Sequence, residues 1–267
     1  MPGLRAMRTL ALLALLAGIS ACTANRGSGP TSAIAIPLAP SPSKEPPLLI
    51  HLPGVSGESA VDHDLVRGLK QGDVPAEIEI YDWTCNDPGI PALHAYARNQ
   101  DQATKIAAMI ARIARIDPSR KIYITSHSGG AGLAVWALEK LPMDVQVDTL
   151  LMLAPALSPS YDLSLALAHV RGKAYAFYSK LDTFVLGTGT RLLGTIDGVN
   201  TDAAGQIGFV RPPAGDAAQY AKLVQEAYDP AWMRYGNFGD HIGWTASPFA
   251  RAVLAPLVGG HAAVNDP

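Results

Sequence analysis

The chain has 267 residues, 48% apolar and 16% charged, a length that suits one large domain or two small ones with a sizeable core. Lys and Arg number 21 against 23 Asp and Glu, and no Lys/Arg-rich block exists to drive nucleic-acid binding by phosphate neutralisation. Two cysteines exclude a disulfide framework and a four-cysteine metal site.

Arg5 and Arg8 precede an apolar run over residues 10–19, about ten residues and too short to span a bilayer core as a helix. The run ends in Ile19-Ser20-Ala21-Cys22, which resembles the bacterial lipobox: an aliphatic residue, two small residues, then Cys. The resemblance implies a signal peptide over residues 1–21, cleavage before Cys22 and lipidation there. That implies an exported cell-envelope lipoprotein held on a membrane, since each buried CH₂ contributes about 0.8 kcal/mol and several chains act together. An ordinary secretory signal with a secreted product is the alternative, and an uncleaved signal anchor is the third. Residues 22–47 are rich in Pro, Ser, Ala and Gly and bury too little apolar surface to offset ordering entropy. They are expected to form a flexible tether, with a loop packed on the domain as the alternative. A lipidated Cys22 leaves Cys85 without a partner, and Cys85 is expected as a small buried apolar group.

From residue 48 onward, apolar β-rich runs alternate with runs of helical period. Residues 48–52 (LLIHL) predict a strand, followed by the Gly-containing loop Pro53-Gly54-Val55-Ser56-Gly57. Residues 65–70 suit a helix and 78–83 (IEIYDW) a strand. Residues 92–116 carry apolar side chains at 93, 97, 106, 109, 110, 113 and 116, which is helical spacing that Asp117-Pro118 ends. Residues 121–125 (KIYIT) predict a strand, 131–141 a helix stopping before Pro142, and 147–154 and 174–179 two further buried strands. Residues 187–211 are Gly/Thr-rich without clear period, 216–228 return to helix, and 248–257 predict a final helix. Continuous apolar strands alternating with helices predict an α/β fold, a mostly parallel central sheet with helices on both faces.

The most specific signal is Ser126-His127-Ser128-Gly129-Gly130, between the KIYIT strand and an Ala-rich helix. This is the small-x-Ser-x-small pattern of a nucleophile elbow in the strand–turn–helix context it requires. Small flanking residues have a steric reason, because Ser128 must occupy a sharp, strained turn where bulky neighbours would meet the crossing backbone. Such a turn places Oγ at the carboxyl end of the sheet, where open α/β sheets bind ligands. A serine that merely caps the following helix is the structural alternative. The first small position holds Ser126 rather than Gly.

On these residues the chain resembles the α/β-hydrolase superfamily, over nearly all of a domain spanning residues 48–267. The resemblance implies partners in the order Ser, acid, His. Asp182, just after the AYAFYS strand, stands where it places the acid, and Asp162, beyond the TLLMLA strand, is the alternative. Phe238-Gly239-Asp240-His241-Ile242-Gly243 resembles the loop that carries the family's His, which makes His241 the candidate base. His127 is the x-position neighbour and is expected only to shape the turn. The oxyanion hole is expected from the backbone N–H of Gly129 and of Val55 or Gly54, since Pro53 has no N–H. The 59 positions from Asp182 to His241 exceed a bare loop, so residues 187–235 are expected to hold an insertion bordering the site. Tyr161, Phe184, Leu186 and Trp244 are candidates for an apolar acyl pocket, with core packing as the alternative.

Other chemistries have weaker support. Asp62-His63-Asp64 are adjacent residues that point in different directions, with no further ligand at metal spacing, and suit a helix start better. No phosphate-binding glycine motif follows a strand, and no cofactor or metal is expected. Arg112 and Arg115 read as a solvated helix face. The implied activity is cleavage of a small-molecule or lipid ester through an acyl-enzyme on Ser128. Two alternatives remain: an acyltransferase or thioesterase with the same residues, and a non-catalytic surface-anchored binding lipoprotein.

Overall fold

A computed structural model describes residues 42–258. The signal segment, Cys22 and the tether up to residue 41 lie outside them, as does His261.

Six strands, β1 (Leu48–Leu52), β2 (Glu77–Ile80), β3 (Ile122–His127), β4 (Thr149–Leu153), β5 (Ala174–Tyr178) and β6 (Leu223–Ala227), form one sheet in the order β2-β1-β3-β4-β5-β6. All its neighbours pair parallel. Every residue of β1, β3 and β4 is buried, as continuous apolar strands covered on both faces must be. The period of two sorts their side chains. Leu48, Ile50, Leu52, Ile124, Leu150 and Met152 join a core on one face, and Leu49, Tyr123, Leu151, Leu153 and Phe177 one on the other.

Helix α1 (Ala60–Gln71) starts at a capping box, with the Asp62 carboxylate accepting the Ser59 N–H at 2.9 Å. The helical spacing of 92–116 is divided between α2 (Ile90–His94) and α3 (Tyr96–Ile116). Buried Asn99 holds that break together, donating from Nδ2 to the Ala92 carbonyl at 2.7 Å. Helix α3 and α4 (Gly130–Glu139), buried from Gly130 to Leu138, supply the first core, while α1 and the helical run 247–257 supply the second. That last run was expected as one regular helix; it tightens and widens through α, π and 3₁₀ turns around Pro248 and Pro256.

Two expectations are corrected. Residues 216–228 are not one helix, because only Ala217–Tyr220 is helical and Leu223–Ala227 is β6. The apolar spacing there fits a helix, but the open edge of β5 takes five backbone positions in parallel register, Ala174↔Leu223 to Tyr178↔Ala227. Tertiary pairing thus overrides local period. Cys85 is exposed rather than buried, in a left-handed turn with φ of 57° beside Asn86 at 59°. No helix among the described residues is long and apolar enough to cross a membrane.

Helix α1 crosses the 247–250 segment at Gly68, where a β-carbon would run into the Ser247 carbonyl and the Ala250 methyl. Gly68→Ala is therefore expected to destabilise the protein by about 1–3 kcal/mol through overpacking, despite the better helix propensity of Ala. Chemical denaturation of the two proteins measures it.

Candidate active site

The chain leaves β1 toward β2 on one side and returns to β3 on the other, so the order reverses between β1 and β3. The carboxyl ends of such a pair border the crevice where open sheets bind ligands. The loop 53–57 leaves β1 there and Ser128 follows β3 there.

Ser128 has φ of 53°, a left-handed backbone rare for a residue with a side chain. Three hydrogen bonds hold it: its N–H donates to Leu153 O at 2.9 Å, and its carbonyl accepts Ala131 N–H at 3.1 Å and Ala156 N–H at 3.0 Å. The flanking small residues have distinct reasons. Ser126 is fully buried and donates from Oγ to Leu151 O at 3.1 Å, tying β3 to β4. Gly130 lies beneath the Leu52 and Pro53 carbonyls, where any β-carbon would collide with both.

The structure brings Ser128, His241 and Asp182 into one line. Ser128 Oγ–H donates to His241 Nε2 at 3.0 Å, and His241 Nδ1–H donates to Asp182 Oδ2 at 2.7 Å. Asp182 is buried, with only 2% of its side chain exposed, while 15% of the His241 ring reaches solvent. The other Asp182 oxygen, Oδ1, accepts the Leu186 N–H at 3.3 Å. Ser128 is not a helix cap, since α4 has no side-chain cap bond. Asp162, the alternative acid, instead accepts the Ser164 N–H and hydroxyl through Oδ1 at 2.9 and 2.5 Å. Asp240 turns to the Gly243 N–H at 2.7 Å.

Gly54 packs on Ser128 and His127, within ordinary contact of both were it to carry a β-carbon. Val55 follows, its Cγ1 against Gly129. Among the described residues no protein group accepts the backbone N–H of Val55, Gly54 or Gly129. These donors remain available beside Ser128 Oγ.

His127 does more than shape the turn. It is 4% exposed, its Nε2–H donates to the His241 carbonyl at 2.9 Å, and the two rings lie 4.8 Å apart. Burial, and then the neighbouring His241 charge, push its pKa down to about 3, so the ring is neutral at ordinary pH. His127 therefore fastens the His241 loop to the elbow while itself carrying no charge.

His51 carries a second buried network, which its apolar context in the sequence did not announce. Its Nε2–H donates to Asp62 Oδ1 at 2.9 Å, and the Thr125 hydroxyl donates to its Nδ1 at 2.8 Å. Burial raises the Asp62 pKa, but the hydrogen bonds from His51 and Ser59 outweigh it and hold the carboxyl below its usual range. The signal available was the capping box, which places Asp62 on the inner face of α1. His63 and Asp64 turn elsewhere, to Glu58 and Arg67. Among the described residues no cluster of three or more His, Cys, Asp or Glu stands ready for a metal.

A chamber of about 450 Å³ opens beside Ser128, lined by Val55, Leu93, Ala156, Val185, Leu186 and Leu193 among others. Of the candidates for an acyl pocket, Leu186 lines it, and the Phe184 side chain lies outside what the structure describes. Two are corrected. Tyr161 does not line it, because its hydroxyl is engaged by Trp136 and Glu139. Trp244 does not either, being fully buried among Phe177, Trp232 and Phe249 beneath the His241 loop. The segment 185–194 forms one wall of the chamber, while residues 223–227, also within the stretch 187–235, belong to the sheet.

Comparison with protein-family models and with curated proteins finds no match. Solved structures do match. The chain is similar to lipase B of Aspergillus fumigatus, with 15% identity and a TM-score of 0.47, over 79% of this chain and 52% of that one. It thus spans about half the length of that lipase. An acetylxylan esterase shows 12% identity and a TM-score of 0.46, over 80% and 97% of the two chains. A Bacillus licheniformis lipase in mature form shows 15% and 0.46, over 82% and 94%.

Holding His127 neutral has a sign in stability. The unfolded chain takes up a proton near the ordinary His pKa of 6.5 while the folded one does not until about 3, so stability falls as pH drops below 6.5. This one ring contributes a slope of up to about 1.4 kcal/mol per pH unit. His127→Gln keeps a donor but cannot titrate, and denaturation between about pH 6 and 4 is expected to show a slope shallower by about one proton.

Proposed function

We propose that this chain is a serine hydrolase that cleaves carboxylic esters. The observation that carries the reading is the line Ser128 Oγ–His241 Nε2, His241 Nδ1–Asp182, at 3.0 and 2.7 Å. A buried carboxylate fixes the tautomer in which Nε2 is free to accept a proton, and that nitrogen already takes the serine hydroxyl.

The reaction follows from that line. His241 takes the Oγ proton as Oγ bonds to the ester carbonyl carbon, and the carbonyl oxygen becomes an oxyanion. The N–H groups of Gly129 and Val55 receive it, each preorganised donor contributing about 3 kcal/mol to the transition state. The tetrahedral centre collapses, the alkoxide leaves with the proton from Nε2, and an acyl-Ser128 ester remains. Water then repeats the steps with His241 again as base, releasing the acid and restoring Ser128. Asp182, bonded to Nδ1–H, stabilises the imidazolium in both halves. No cofactor enters.

A fluorophosphonate probe is expected to label the wild-type protein on Ser128 and to leave folded Ser128→Ala unlabelled; labelling that survives the substitution would remove the assignment. With an ester substrate, Asp182→Asn is expected to lower kcat by about 10⁴, the size of the effect when the tautomer is lost in other triads. Asp162→Asn is expected within a few-fold of wild type, because Asp162 serves only its own turn. A reversed order would transfer the acid role to Asp162.

The proposal extends to location. Ile19-Ser20-Ala21-Cys22 supports lipidation at Cys22 and an exported enzyme tethered to a membrane surface, with the ester substrate drawn from solution or from lipid. Wild-type protein is expected to incorporate a fatty-acid analogue and sediment with membranes. Cys22→Ser is expected to lose both, and incorporation that persists would remove the lipoprotein reading.

A further inference from the structure

Of the two groups of an ester, only one has its side of the site fixed by the proton transfers. The leaving oxygen must accept a proton from His241 Nε2, so the alcohol lies on the His241 side. A shallow hollow of about 260 Å³ sits there, lined by Leu181, Thr183, Asp240, His241 and Ile242 among others. The larger chamber touches Ser128 but not His241. It is on the acyl side.

No charged residue lines that chamber, and its volume of about 450 Å³ is within the range that encloses a small organic group. Its inner polar group is engaged, because buried Thr190 donates from Oγ1 to Leu186 O at 2.6 Å. A carboxylate placed there would give up its hydration without a charged partner, with the exposed Thr188 hydroxyl the remaining polar side chain of the lining besides Ser128. An acetyl group would leave most of the apolar wall in water.

The wall 185–194 is held near both ends. At its start Leu186 N–H is bonded to Asp182 Oδ1. At its far end His94 Nε2–H, from the last residue of α2, donates to Leu193 O at 2.8 Å across 99 positions of sequence. This bond joins the two helical pieces, Ile90–His94 and Thr190–Leu193, that face each other over the chamber.

Resting on the hydrolase reading, we infer that the chamber receives a medium-length aliphatic acyl chain, with the wall 185–194 as the specificity-determining element and His94 as its clasp. Each methylene added to the acyl group removes apolar surface from water until the chamber is full, raising kcat/KM about fourfold per methylene. The gain stops where the chain outgrows the walls.

The test uses the full-length protein and p-nitrophenyl esters from acetate through butyrate, hexanoate and octanoate to palmitate, with the hemisuccinate as a charged acyl group. The expected result is a steep rise from acetate to a medium-chain optimum, with the hemisuccinate at least tenfold below butyrate. Leu93→Trp, which narrows the chamber, is expected to lower the octanoate-to-acetate ratio of kcat/KM at least tenfold. His94→Ala, which frees the wall, is expected to flatten the series, while His94→Gln, which keeps a donor, restores part of the slope. Labelling of wild type by a small fluorophosphonate separates the two readings. Labelled protein with a flat series, or with acetate or hemisuccinate preferred, overturns the acyl assignment alone; unlabelled wild type overturns the hydrolase reading and this one with it.

Discussion

The whole site depends on one backbone angle. Ser128 at φ of 53° is in a conformation that costs about 1–3 kcal/mol for a residue with a side chain. It persists because its surroundings leave no alternative. The N–H is bonded to the end of β4, the carbonyl takes two further N–H groups, and Gly130 is pressed beneath the end of β1. Three neighbouring strands thus meet at one residue. Relaxing Ser128 to an ordinary angle would pull the start of α4 away from Leu52 and Pro53. The strain is what turns a buried strand abruptly into a helix, so that Oγ faces the crevice instead of the sheet.

Around that angle, two imidazoles lie side by side at the elbow. The His127 and His241 rings are tilted at 42° with centroids 4.8 Å apart, and two cations at that distance would repel strongly in a buried setting. Burial keeps His127 neutral, so it places no charge beside the His241 ring that accepts the Ser128 hydroxyl. The second network, Thr125–His51–Asp62–Ser59, runs from β3 through β1 to the cap of α1 and is fully partnered. A complete buried network rigidifies its surroundings, whereas a partial one weakens them. Here it locks the register of β1 against β3, directly beneath Gly54, Val55 and Ser128.

The sheet and its two-faced core were legible in the sequence because continuous apolar strands and helical periods carry that information locally. The elbow was legible for a steric reason, since few sequences place small residues on both sides of a serine between a strand and a helix. Asp182 and His241 were legible only by resemblance and by their places after strands. β6 was not, because LVQEA becomes a strand through the free edge of β5 rather than through its own pattern. Nor was the work of His127 and His51, whose partners lie 114 and 74 positions away. Tyr161 and Trp244 misled because closeness in sequence to a catalytic loop does not say which side of it a ring will pack on.

Asp182 then shows how the chemistry and the chamber are joined. A carboxylate bonded through one oxygen alone can swing about its Cβ–Cγ bond, and the imidazole that depends on it would follow. Asp182 is bonded through both oxygens, Oδ2 to His241 and Oδ1 to the N–H of Leu186. Leu186 is fully buried and its side chain forms part of the chamber. Whatever packs against Leu186 therefore packs against the residue that fixes the plane of the acid. Asp162 has no such arrangement: its Oδ1 is bound within its own turn, to a segment that reaches neither the chamber nor His241. The geometry that distinguishes the two carboxylates is the same geometry that ties the His241 ring to the wall of the chamber.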